Sequence, residues 1–190
     1  LNAAGADEHY IRLARQVAFD LSDDDDADLC FTYAMKLAAM GDRRALDKCA
    51  ELNEQHLYDS DMARLLELLA PVTGADGYVL MLGRLRGRLG DCGRAIERYE
   101  QYLAVRPADS AALLELGALL EQAGMNDAAL GRYRQAVQAD PTLVQARISA
   151  AGLLIVRGRY AEALALYRDM PEQLQSEESL ERYQFLAEAT

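Results

Sequence analysis

The sequence predicts an all-α fold in which helical hairpins wind into a right-handed α-α superhelix. Two observations predict it. Helical periodicity, punctuated by Gly and Pro, runs along most of the chain. An interval of 34 residues also recurs: it links Gly83 to Gly117 and Pro107 to Pro141, and it joins Gly90, Gly124 and Gly158, Ala95, Ala129 and Ala163, and Tyr99, Tyr133 and Tyr167. Five residue classes in one register are hard to obtain by chance, and a period of this length is built as helix, turn, helix.

Taken in order, helical periodicity covers about 7 to 20, 27 to 40, 43 to 56 and 60 to 70, with Gly41 and Asp42 as a turn. The pair 27 to 56 reads as a degenerate hairpin, with Ala34 where a glycine is expected. The helix from Ser60 to Ala70 has no evident second member before Pro71 and Gly74, so the alternation is expected to slip there. Downstream, Gly83 and Gly117 lie mid-helix. Glycine there costs about 1 kcal/mol relative to Ala, which implies a partner helix too close for a side chain. Ala95 and Ala129 are the expected partners, with Tyr99 and Tyr133, four residues on, as the bulk between hairpins. Gly90, Gly124 and Gly158 end the first helix of each pair in a left-handed conformation, and Pro107 and Pro141 break the second. Glu177 to Ala189 reads as a closing amphipathic helix with Leu180, Tyr183, Phe185 and Leu186 inward.

Composition bounds the function. The chain has 190 residues, 51% hydrophobic and 27% charged, the balance of a folded globular protein. Its longest apolar run, Ile148 to Val156, falls far short of the roughly 20 residues a spanning helix needs. Leu1 stands where an initiator Met would, with no basic and then hydrophobic stretch behind it, so a processed chain or an excised piece is expected. The net charge of -11 opposes non-specific nucleic-acid binding, because neutralising phosphates needs a basic stripe. Most of that excess, -8, lies between Leu1 and Ala75.

Catalytic chemistry has no visible kit. His9 and His56 are the only near-neutral bases, and neither sits in a nucleophile, zinc or Cys/His motif. Cys30, Cys49 and Cys92 are odd in number and lack CxxC spacing, so they read as small buried residues, although a Cys30–Cys49 pair between adjacent helices stays open. The run Ser22 to Asp28 lacks the Gly and Glu of a calcium loop and reads as an N-cap followed by aspartates on the helix dipole. No catalytic residue, metal or cofactor is expected.

Residues 76–109 and 110–143 resemble two tetratricopeptide repeats, with Leu82 and Leu116 before the mid-helix glycine. Residues 144–177 resemble a third and looser one, in which Ala151 replaces that glycine, Met170 stands for Ala136 and Pro171 stops the second helix early. The resemblance makes 1–75 a set of degenerate repeats and 178–190 a terminal cap. It implies a protein-interaction scaffold, not an enzyme, whose first helices line a concave groove. Carried over position by position, the groove is Leu80, Arg84 and Arg88, then Leu114, Ala118 and Glu121, then Gln145, Ile148, Gly152 and Ile155. Leu80, Arg84, Glu115, Gln145 and Ser149 stand where co-chaperone members hold a peptide carboxylate with Lys and Asn, which disfavours that clamp.

The segment from Asp76 to Pro107 is +2 in an acidic chain, so Arg84 and Arg88 are expected to recognise a partner's carboxylates unless acids such as Glu115 or Glu121 engage them. An apolar lining of this kind also suits self-association. The Arg-rich, Lys-poor repeats resemble the periplasmic repeat regions of bacterial exopolysaccharide export proteins of the Pel and cellulose systems, which implies protein partners such as a polysaccharide-modifying enzyme. A cytoplasmic adaptor is the rival. A carbohydrate-binding surface would need exposed aromatics, whereas Trp is absent and the repeat tyrosines are at core positions.

Overall fold

A computed structural model of the chain describes residues 27–39, 42–56, 58–73, 76–170 and 177–189. Among them are ten helices and no strand, as the all-α expectation requires. They are α1 (Ala27–Ala39), α2 (Arg43–His56), α3 (Asp59–Thr73), α4 (Asp76–Arg88), α5 (Cys92–Val105), α6 (Ser110–Gln122), α7 (Asn126–Ala139), α8 (Val144–Val156), α9 (Tyr160–Arg168) and α10 (Glu177–Ala189). The expected helix at 7 to 20, the Ser22 cap, Gly41 and Pro171 lie outside the described residues. The chain divides into two compact units, Leu1–Gly90 and Asp91–Thr190.

In the first unit α1 packs along α2, and α3 along α4. Leu37, Leu46, Met62, Leu66, Leu82 and Leu85 form its core, and the Phe31 ring stacks on Tyr58 with centroids 4.2 Å apart. Ala34 is wholly buried at the place expected for glycine. Asp42 opens α2 by accepting the backbone N–H groups of Arg44 and Ala45 at 3.1 and 3.4 Å. Cys30 and Cys49 are buried free thiols, so no disulfide joins them, and Cys92 is free and half-buried. Burial pushes the Cys49 thiol up to about 12.

The expected slip at 60 to 70 does not occur. Helix α3 runs through Pro71 to Thr73 and packs along α4. The proline sits in the last turn, where its missing N–H removes a single helical bond. The starts of α2, α4, α6 and α8 are 33 or 34 residues apart, and so are those of α3, α5, α7 and α9. The alternation therefore keeps every member.

In the second unit each helix from α5 to α10 packs on the next. Gly90, at the end of the first unit, and Gly124 and Gly158 take φ of 77°, 75° and 68°, the left-handed turn expected of them. Helices α5 and α7 end two residues before Pro107 and Pro141. Asp109 caps α6 by accepting the Ala112 N–H at 3.0 Å and also receives the Tyr102 hydroxyl at 2.6 Å. Tyr99, Tyr133 and Tyr167 are buried, as their core assignment required.

Two packing expectations need correction. The close neighbour of Gly117 is the ring of Tyr133, not Ala129: a Cβ on Gly117 would lie 2.4 Å from Tyr133 Cε1 and 2.6 Å from Cδ1. Side chains on a helix lean toward its N-terminus, so the ring reaches back over the turn of Ala129, whose small side chain leaves it room. In α10, Leu186 is buried and Tyr183 half-buried, but Phe185 is 63% exposed. Residues 183 and 186 share one stripe of the helix, while 185 stands about 100° away from 186. The Leu180 side chain lies outside the described set.

Opposite outcomes are expected for the same change at two glycines. Gly117→Ala gains helix propensity but drives a methyl into a buried ring, for a net loss of about 1–2 kcal/mol. Gly131→Ala, in the middle of α7 with nothing within 4 Å of the added atom, should gain about 0.5–1 kcal/mol. Urea unfolding monitored by circular dichroism checks both, and two changes of the same sign would show that the ring does not sit on Gly117.

Candidate functional site: the first-helix face

The residues expected to line a groove fall on α4, α6 and α8, and all are at least partly accessible. On α4, Leu80 is half-buried while Arg84 and Arg88 are exposed. On α6, Leu114 is half-buried and Ala118 and Glu121 are exposed; their spacings of four and three put them on one face. On α8, Gln145 is exposed, and Ile148, Gly152 and Ile155 are half-buried at the same spacings. A Cβ added to Gly152 would meet nothing within 4 Å. Ala118 and Gly152 thus leave a low, open floor in the second unit, with Leu114, Ile148 and Ile155 as its apolar contour.

Hydroxyl chemistry that the sequence reading missed holds this face together. The buried Tyr133 donates its hydroxyl to Glu121 Oε2 at 2.8 Å, and Ser149 of α8 hydrogen-bonds the same phenol oxygen. One side chain of α7 therefore ties the end of α6 to the middle of α8. Burial first, then the Glu121 charge, raises the Tyr133 hydroxyl above its ordinary value, so it remains a donor at neutral pH. Tyr99 donates likewise to Glu115 Oε2 at 2.6 Å. The signal was present in the sequence: Glu115 and Ser149 each follow their tyrosine by 16 residues. Tyr167, 4% exposed, has no hydrogen-bond partner for its hydroxyl among the described residues; the positions 34 beyond Glu121 and Ser149 hold Ile155 and Tyr183.

The arginine rung is arranged differently from the expectation. Arg88 presents its fork to Asp59 at the start of α3, with Nε to Oδ2 at 2.7 Å and Nη2 to Oδ1 at 2.5 Å, and Glu115 and Glu121 are not its acids. Asp59 also accepts from Asn53 Nδ2 at 3.0 Å. In the second unit Arg157, just after α8, meets Asp127 in the first turn of α7 at 2.5 Å, so the same device recurs between corresponding helices. Both aspartates face the positive end of a helix dipole as well as a guanidinium. Arg86 pairs with Glu67. Arg147 escaped the sequence reading altogether. It is 6% exposed, and its guanidinium donates to Pro141 O at 3.2 and 3.3 Å and to Leu166 O at 3.3 Å, capping the short α9.

No group of three His, Cys, Asp or Glu side chains converges on a metal-sized site among the described residues, and no helix there is long and apolar enough to cross a membrane. His9 and the His56 side chain lie outside the described set. The Arg88 hydrogen bonds hold the Asp59 carboxyl below its ordinary range. Because that folded value is lowered, the pair's stabilisation is present above the unfolded value, near about 3.9, and is lost as pH falls through the folded one. Arg88→Gln should therefore cost about 0.2–1 kcal/mol at pH 7, discounted for the exposed arginine. The deficit should vanish below about pH 3, and a constant deficit in thermal melts from pH 7 to pH 3 would rule out the ion pair as its cause.

Two family profiles described as tetratricopeptide repeat match residues 80–144 and 120–184, together more than half of the chain. No curated protein matches it in sequence. Among solved structures, a MamA protein superposes with a TM-score of 0.72 at 16% identity, covering 95% of this chain and 96% of that one. A tetratricopeptide repeat protein from Parabacteroides merdae gives 0.68 at 17%, covering 95% and 73%. YrrB, a tetratricopeptide repeat protein with an unusual peptide-binding site, gives 0.67 at 17%, covering 92% and 90%. Identities this low establish shared architecture. With the profile matches and the 34-residue register of helices and glycines, they place residues 80–184 of this chain in the tetratricopeptide repeat family.

Proposed function

We propose that this chain is a protein-interaction scaffold whose first-helix face in the second unit, between α6 and α8, receives a peptide or helix of a partner protein. The open floor at Gly152 carries the reading. A helix interior seldom keeps glycine without a close neighbour to require it, because glycine there costs about 1 kcal/mol relative to Ala. Gly117 has such a neighbour and Gly152 has none. Space left open beside half-buried Leu114, Ile148 and Ile155 suits an apolar side chain from outside. Family membership supports the same use, and YrrB is a protein of this architecture with a peptide-binding site.

The finer setting is a segment of a bacterial envelope protein that gathers partners, such as a polysaccharide-modifying enzyme, for export or biofilm matrix secretion in the periplasm. It rests on the likeness of the repeats to those of export proteins.

Gly152→Leu tests the groove without attacking the fold. The substitution improves helix propensity and enters empty space, so the melting temperature should hold or rise. Peptides selected from a random phage-displayed library on the native chain should lose at least about tenfold in affinity for the variant, the equivalent of about 1.4 kcal/mol. Undiminished binding to a folded Gly152→Leu chain would move the site to another face.

A further inference from the structure

Building on the groove reading, we infer that Glu121 is its specificity-determining residue and that the occupant is a peptide presenting a lysine or arginine among apolar residues. The chain's expected preference, an acidic partner held by an arginine rung, is thereby reversed.

Three observations converge on this. Glu121 is exposed at the end of the apolar face that carries Leu114 and Ala118. It is held there by Tyr133, which is 2% exposed, donates to Oε2 at 2.8 Å and is itself tied to Ser149 on α8. A carboxylate oriented by a buried donor loses less freedom on binding a cation than a free surface glutamate does. The other two observations are electrostatic. Among the described residues no cation lies within ion-pair distance of Glu121, although Arg132, Arg134, Arg157, Arg159 and Arg168 of the same unit all have acidic partners. Arg147, the unit's buried arginine, is spent on backbone carbonyls. The unit carries fifteen acids against ten bases, so its field draws basic chains and repels acidic ones.

The chemistry follows from the geometry. An incoming guanidinium or ammonium would share Glu121 with the Tyr133 hydroxyl, whose bond occupies only one carboxylate oxygen. Apolar neighbours of that residue in the peptide would lie over Ala118 and Gly152, where there is room.

The test uses the full chain and three fluorescein-labelled peptides of one apolar host sequence, Leu-Ala-X-Leu-Ala-Leu, with X as Arg, Gln or Glu, titrated by fluorescence anisotropy. The Arg peptide should bind roughly tenfold tighter than the Gln peptide, and the Glu peptide weakest of all. In Glu121→Gln, whose amide oxygen can still accept from Tyr133, the Arg advantage should shrink to about twofold or less while helicity is retained. Equal affinity of the Arg and Gln peptides for the native chain, or an Arg advantage that survives Glu121→Gln, would overturn the assignment of Glu121 and leave the groove standing. Binding of none of the three would remove the groove reading and this one with it.

Discussion

The second unit depends on one buried side chain placed against an absent one: the ring of Tyr133 on the bare backbone of Gly117. The approach is closer than any Cβ allows. It sets how α6 and α7 cross, because a larger residue at 117 would push the ring out or the helices apart. The same ring carries its hydroxyl through the core to the first-helix face, where Glu121 and Ser149 meet it. A packing contact and a polar anchor are thus two ends of one residue. Where the pattern weakens, in the third repeat, both ends change: Ala151 replaces the glycine, and the Tyr167 hydroxyl has no partner.

Charge is organised around that frame. Arginines near the ends of first helices reach the opening turn of the helix before them, as Arg88 does to Asp59 and Arg157 to Asp127. Others join second helices, as Arg132 does to Glu100 and Arg134 to Glu162, where Arg159 and Arg134 lower the Glu162 carboxyl. Such pairs contribute modestly to stability, roughly 0–1 kcal/mol each when exposed. Their larger effect is to commit cations inside the fold and leave an acidic surface, so the partner chemistry follows from which charges the scaffold itself has used.

Much of the fold was legible because its determinants repeat. Gly90, Gly124 and Gly158 are visible as a series, and backbone geometry explains each in the same way. Partner choice was less legible. Whether Gly117 meets Ala129 or Tyr133 depends on the direction a side chain leans, which periodicity does not encode. Pro71 read as a stop because a proline's effect depends on how many turns remain after it. Arg88 was placed on the right face, but its acid lies 29 residues upstream, outside the register that found everything else. Arg147 left a signal that went unused, a charge where the preceding repeats have Leu113 and Val79. The groove residues came from family resemblance, and the structure shows their accessibility; their use is a matter for binding experiments.

The account's central claim is that the repeat tyrosines couple core and surface through their hydroxyls, and paired removal of those hydroxyls tests it most directly. Tyr133→Phe and Tyr167→Phe delete the same atom at positions 34 residues apart, and urea unfolding gives the cost of each. Tyr133→Phe should destabilise by about 1.5 kcal/mol, through a lost bond to a charged acceptor. Tyr167→Phe, which removes a buried hydroxyl without a partner, should leave stability unchanged or raise it by about 1 kcal/mol. Equal losses at the two positions would contradict the account.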